Sequence, residues 1–292
     1  MLARLRQEQD RICSAMEAID GGRFREDAWD RPGGGGGWAR VIQDSTVFEK
    51  AGVNVSAVHG TLSEQAFSSM RARGIETDER DFFATGLSLV LHPHNPHAPT
   101  VHANYRYFEL GEGDHWWFGG GADLPPSVLY EDDARHFHQT LKDVCDRHDE
   151  GFYPRFKAWC DDYFNVKHRG ERRGLGGIFF DDLNDRDRDE VFAFVSDALA
   201  AFVPGYAPIL ERRHATPFTD KDKEWQAVRR GRYVEFNLVW DRGTHFGLRT
   251  NARVESVLMS LPLTARWEYC HEPPAQHEGL MDALRTPRSW TD

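Results

Sequence analysis

The 292 residues, 40% of them hydrophobic, suffice for one large core or two small ones, and no apolar run is long enough to span a bilayer. Lys and Arg number 36 against 47 Asp and Glu, a net charge of −11 that argues against nucleic acid or an anionic membrane as the main partner. Four dispersed cysteines, Cys13, Cys145, Cys160 and Cys270, form no CxxC pair, so they read as reduced, buried thiols, and a cytoplasmic protein is expected.

The opening segment is an amphipathic helix, with Leu5, Ile12, Met16 and Ile19 at helical spacing and Gly21–Gly22 as its stop. In "RPGGGGGWARVIQDSTVFEKAGVNVSAVHG" the glycines predict a flexible loop of close backbone approach. No strand precedes them and no G-K-[ST] follows, so a phosphate loop is disfavoured. Val41, Val47, Val53, Val55 and Val58 then read as short strands. Residues 86–92 and 101–110 alternate as two more, and "HPHNPHAPT" joins them as a long-looped hairpin. Further strands are predicted at "HWWFGGGADL", "GLGGIFFDDL" and "GRYVEFNLVWD". Helices are expected at 131–148, 152–168 and 189–203, with a short one in "RVESVLMSLP". The prediction is an α/β chain of the α+β type: a single domain, residues 1–292, whose large and mainly antiparallel sheet has helices on both faces.

Chemistry concentrates in the alternating pair. Leu87, Leu89 and Leu91 share one face, leaving Ser88 and His92 to share the other with His102, Asn104 and Arg106 across the hairpin. A solvated sheet face competes with this reading. Against it, imidazole, carboxamide and guanidinium together suit a bound carboxylate, which Arg grips with a planar fork. His94 and His97 fall in the link and are expected to be solvated. His136 and His138, two apart on a helix, cannot chelate one ion together.

The stretch "KAWCDDYFNVKHRGERRGLGGIFFDDL", residues 157–183, resembles the signature of the oxygen-dependent coproporphyrinogen III oxidases. Lys157, Trp159, Cys160, His168, Arg169, Glu171, Arg173, Gly174, Gly176, Gly177, Phe179, Phe180 and Asp181 match it. The blocks "VFEKAGVNVSAVHG", "WWFGGGADLPP" and "GRYVEFNLVWDRGTHFGLRTNARVESVLMSLPLTARWEY" are similar to others of that family, in its order. Asn165, Ala39 and "TNAR" depart from its usual pattern.

The resemblance implies a reaction. Coproporphyrinogen III loses two propionate carboxyl groups, on rings A and B, to give protoporphyrinogen IX. O2 is the oxidant, CO2 and H2O2 are released, and no organic cofactor is used. It also implies roles. His102 matches the proton donor, while Asp123, Asp241 and Arg242 match groups near the pyrrole nitrogens and propionates. Ser88, Asn104, Tyr105, Arg106, Asn251, Ala252 and Arg253 match substrate contacts. His92, His102, His138 and His168 match four positions proposed to hold a divalent metal in bacterial members, and residues 233–268 match a segment linked to homodimer formation. Physically, an anionic tetrapyrrole needs arginines gathered locally on an acidic chain; Arg106, Arg242 and Arg253 can serve, with Arg40 a further candidate. A histidine-ligated metal oxygenase and a non-catalytic tetrapyrrole carrier are the two rival readings.

Overall fold

The computed structural model describes residues 1–71, 74–111, 113, 115–249 and 252–291. Helix α1 (Leu2–Asp20) buries Leu5, Ile12 and Met16 and ends at Gly21, whose φ of 82° supplies the left-handed cap. Strands β1 (Arg25–Asp30), β2 (Gly35–Gln43) and β3 (Phe48–Thr61) follow, then the short helix α2 (Glu64–Arg71). Strands β4 (Asp81–Pro93), β5 (Val101–Leu110) and β6 (His115–Asp123) continue the meander. After α3 (Glu131–His148), α4 (Phe152–Tyr163) and a ribbon of β7 (Asn165–Val166) with β8 (Glu171–Arg172), strand β9 (Gly177–Leu183) pairs with β6. The sheet has seven strands in the order β1-β2-β3-β4-β5-β6-β9, every pair antiparallel.

The two sheet faces are treated differently. Leu87, Leu89, Leu91, Ala103, Tyr105, Phe118 and Phe180 point to one side and are closed over by α1, α3, α5 (Arg188–Ala200) and α6 (Phe202–Arg213) in the main core. Helix α4 wraps the β9 edge, setting Phe156 against Phe180 on this side and Trp159 against Phe179 on the other. An edge strand so covered cannot recruit a foreign strand. Residues 188–213 are long and apolar enough to cross a membrane, which composition alone had not signalled. Val191, Phe194, Val195, Leu199, Ile209 and Leu210 of that stretch are core residues.

The opposite sheet face is covered only in part. Helix α2 closes one end through Phe67 and Met70, near Trp117. At the other end lie α7 (Asp220–Val239), α8 (Arg242–Arg249) and α9 (Val254–Leu258); α10 (Glu278–Arg285) packs on the far side of α7 through Leu280, Met281 and Leu284.

Three expectations are corrected. "GRYVEFNLVWD" is not a strand but the C-terminal half of α7, which starts at a Thr219–Asp222 capping box. Its aromatic and β-branched residues suggest a strand, yet Trp225, Arg229, Tyr233 and Phe236 are buried at helical spacing. The glycine run is not a loop beyond Gly34: Gly35, Gly36 and Gly37 are paired β2 residues. The link after β4 is not solvated. The Asn95 side-chain amide donates to the carbonyls of His214 and Thr216, Lys223 donates to that of His94, and Tyr206 to that of Pro99. It fastens α6 and α7 to the sheet. The fourth thiol also differs, since Cys270 is exposed while the other three are buried.

Candidate active site

Antiparallel register lays the partly covered face out in rows. One row runs Asp27, Ala39, Asn54, Ser88, Asn104, Gly121, Phe179 across the whole sheet. A second carries Trp29, Gly37, Ser56, Gly86, Arg106 and Gly119; a third places His102 between Val90 and Asp123. Glycine at 37, 86, 119 and 121 removes side chains from the floor, so the surface is a polar trough. At Gly119 a Cβ would sit 2.8 Å from the Arg106 guanidinium carbon, so the glycine gives that arginine its place. As predicted, Ser88, His102, Asn104 and Arg106 share this face. Tyr105 does not: its side chain is buried in the core and its hydroxyl donates to the Ala198 carbonyl at 3.3 Å.

At the β5–β6 end of the trough stands a charged network. His102 Nδ1 lies 2.8 Å from Asp123 Oδ1, and Arg173 donates from Nε and Nη2 to the two oxygens of the same carboxylate at 2.9 and 2.6 Å. Arg173 also donates to Asn237 Oδ1 at 2.7 Å and lies over the rings of Phe164, Tyr233 and Phe236. Burial opposes a charge on Asp123, yet the Arg173 charge and the bonds from His102 and Arg173 hold its carboxyl below the usual range. His102 Nδ1 faces both the ionised Asp123 carboxylate and, at 3.0 Å, Arg173 Nη2, so these two groups fix the ring and leave Nε2 on its other side. No described residue hydrogen-bonds Nε2. Asp123 itself is fully buried, with both oxygens engaged by His102 and Arg173.

Along β9, Asp181 gathers two of the expected arginines. Arg106 contacts Asp181 Oδ1 at 2.9 Å and Arg242 approaches Oδ2 at 3.7 Å. Arg106 also donates to Asn104 Oδ1 at 3.0 Å. Asp241 accepts from the Tyr163 hydroxyl at 2.9 Å and from the Thr244 N–H and hydroxyl at 2.7 and 2.8 Å, so it caps the start of α8. Burial works against its charge, and the Thr244 bonds, the Arg173 charge and Tyr163 overcome it, holding the carboxyl below its ordinary value. Tyr163 stacks on Phe179 with centroids 4.0 Å apart, giving the trough an aromatic wall. Arg253 reaches across to pair with Asp27 on β1, and the Ala252 N–H donates to the Gly247 carbonyl. Asn251 lies outside the described residues. Arg40, expected as a further substrate arginine, points instead to the α1 side, paired with Asp10 and Glu26.

The four histidines proposed for a metal are not brought together. His92 is buried, with Nδ1 3.2 Å from the Thr100 hydroxyl and Nε2 2.9 Å from the Ser260 carbonyl; burial and then Arg230 push its pKa well below the usual value. His138 is likewise held between the Tyr153 hydroxyl and the Leu175 carbonyl, and burial takes it down to about 3. His168 lies on the surface, between Glu235 and the Trp240 N–H. Each spends both ring nitrogens in hydrogen bonds, so these residues do not fit a shared ion. Among the described residues no three His, Cys, Asp or Glu side chains converge as ligands.

Sequence reasoning gave no role to Arg173 or Asp181, although both stand in the signature stretch, and passed over Asn54, Ser56 and Tyr163. For Asn54 and Ser56 the signal was present: they alternate with the buried Val53 and Val55.

Comparison with known proteins shows the family. A family model described as coproporphyrinogen III oxidase matches residues 1–290. The chloroplastic oxygen-dependent coproporphyrinogen-III oxidase of Glycine max is 56% identical over 300 residues, covering 98% of this chain and 77% of that protein. The mitochondrial oxygen-dependent coproporphyrinogen-III oxidase of Rattus norvegicus is 55% identical over 295 residues, 97% of this chain and 67% of that one.

Proposed function

This chain belongs to the coproporphyrinogen III oxidase family, and from that premise we propose that it converts coproporphyrinogen III to protoporphyrinogen IX in porphyrin biosynthesis, with O2 as oxidant. Each propionate, –CH2–CH2–COO⁻, gives up two electrons, one proton and CO2 to become a vinyl group. O2 takes the two electrons and two protons and leaves as H2O2. One proton is therefore consumed per propionate, and a group that can give and take protons near neutrality is required.

The observation that carries this reading is the trough, where an imidazole and two arginines come together on one face. His102 is the proton handler, oriented through Nδ1 by Asp123 and Arg173. Arg106 and Arg242 are the propionate clamps, with Ser88 and Asn104 on the floor between them and Arg253 at the far side. Asp241, half-buried beside the aromatic wall, keeps an acceptor site on Oδ1 beyond its Tyr163 bond and is the carboxylate for the pyrrole N–H groups. A carboxylate that accepts from the pyrrole N–H raises the electron density of the ring and makes it a better electron donor to O2, which removes the need for an organic cofactor. No step is routed through a metal, because His92, His138 and His168 have no ring nitrogen to offer.

The whole chain, 1–292, acts in our reading as one catalytic domain, and two copies pair through residues 233–268. Leu238, Val239 and Trp267 in that segment, with Tyr269 beyond it, expose large apolar side chains, up to 98% at Tyr269, which a second copy would cover. Trp267→Glu should yield monomers in sedimentation analysis, and an unchanged mass would contradict the assignment. We place the reaction in the cytoplasm, where the four free thiols stay reduced.

Aerobic incubation of the purified protein with coproporphyrinogen III tests the function. Vinyl product with one CO2 and one H2O2 per propionate is expected; tight binding without CO2 would identify a carrier instead.

A further inference from the structure

The trough has a second polar end, on β1 to β3, that the chemistry at His102 leaves unused. Here the indole of Trp29 lies over Gly37, where a Cβ would sit 2.5 Å from its Cζ2 and 2.8 Å from its Cε2. Gly37 pairs with Ser56, two residues along β3 from Asn54, so the rows that hold Trp29 and Asn54 are neighbours on this face. Trp29 Nε1 and Asn54 Oδ1 are both buried and both lack a hydrogen-bond partner. Orphaned buried polar atoms are few in a native fold, and two of them at one end of one trough call for a common cause. Arg253, paired with Asp27, lies with its guanidinium carbon 6.0 Å from the Trp29 ring.

We propose that Trp29 and Asn54 form a second hydrogen-bonding station for the tetrapyrrole, holding the part of the ligand remote from His102. The proposal rests on the coproporphyrinogen reading above. An N–H donor beside a guanidinium selects a carboxylate, so Trp29 and Arg253 take a propionate. A lone carbonyl acceptor selects a donor, so Asn54 takes a pyrrole N–H. Coproporphyrinogen carries both kinds of group, propionates at the rim and N–H groups within. The span fits as well: from Gly37 on β2, beneath the Trp29 ring, to His102 on β5 are three strand spacings, roughly 14 Å, within the breadth of a tetrapyrrole with its propionates extended.

The test measures binding without turnover, by titrating coproporphyrinogen III under anaerobic conditions into wild type, Trp29→Phe and Asn54→Leu. Loss of one hydrogen bond to the ligand should raise Kd about tenfold in each variant. Aerobic kcat at saturation should stay within about threefold, and the melting temperature should hold or rise, because each substitution removes an unsatisfied buried atom. If wild type binds while both variants keep its Kd within about twofold, the proposal is overturned, whatever happens to their stability. If wild type neither binds nor converts coproporphyrinogen III, the functional reading falls and this proposal with it.

Discussion

The two faces of one sheet have been put to opposite uses. Toward α1, α3, α5 and α6 the strands present Leu87, Leu89, Leu91 and Phe180, all nearly or fully buried. Toward the trough the same strands present Ser88, Asn104, Arg106 and His102, set among glycines. The period of two in β4 and β5 lets each strand serve both ends at once: every second side chain holds the fold and every other one faces the trough. The comparison teaches where stability and function can be separated. Histidines divide along similar lines. His92 and His138 are closed off with both nitrogens bonded, whereas no described residue bonds His102 Nε2.

The sharpest way to break the comparison is to cut into the closed face. Phe156, buried against Phe152, Phe180 and Phe194, should cost about 3–5 kcal/mol as Phe156→Ala in urea unfolding, while the folded fraction keeps its kcat. On the trough face the effect should invert. Arg106→Ala removes a carboxylate clamp, so KM should rise roughly 10- to 100-fold, with stability changed by less than about 1 kcal/mol because the Asp181 pair is partly exposed.

A smaller effect tests the closed histidines. Burial, with Lys157 nearby, lowers His138 from 6.5 to about 3. The unfolded chain therefore takes up this proton first, so the contribution of neutral His138 is complete above pH 6.5 and is lost as pH falls toward 3. Unfolding free energy should drop by about 1.4 kcal/mol per pH unit below 6.5 from this residue, and His138→Gln should flatten that slope. The smallest expected effect is that of added Mn2+ or Zn2+ on the melting temperature. His92, His138 and His168 are already bonded, so a shift of several degrees would contradict the separation described here.

Much of this was legible in the sequence. Strand alternation alone put Ser88, His102, Asn104 and Arg106 on one face, because side-chain direction in a strand is local geometry. Helix α7 was not legible: Tyr233, Val234, Phe236, Leu238 and Val239 have strand propensity, and only burial at a spacing of three to four, with Arg229 paired to Glu171 and Arg230 to Glu49, makes them a helix. The buried link at 93–100 was misjudged because its carbonyls and Asn95 find partners more than a hundred residues away. Arg173 was missed as a partner for the same reason, since the contact between it and Asp123 crosses 50 residues. Long-range pairing of polar groups leaves no periodic mark.

The central claim is that the open face performs proton chemistry through His102 while its neighbours hold the ligand. It is tested most directly by His102→Gln, measuring anaerobic coproporphyrinogen III binding and aerobic CO2 release on the same preparation. The account predicts a Kd within about threefold of wild type and a turnover reduced roughly 10²- to 10⁴-fold. Wild-type turnover with unchanged binding would contradict it.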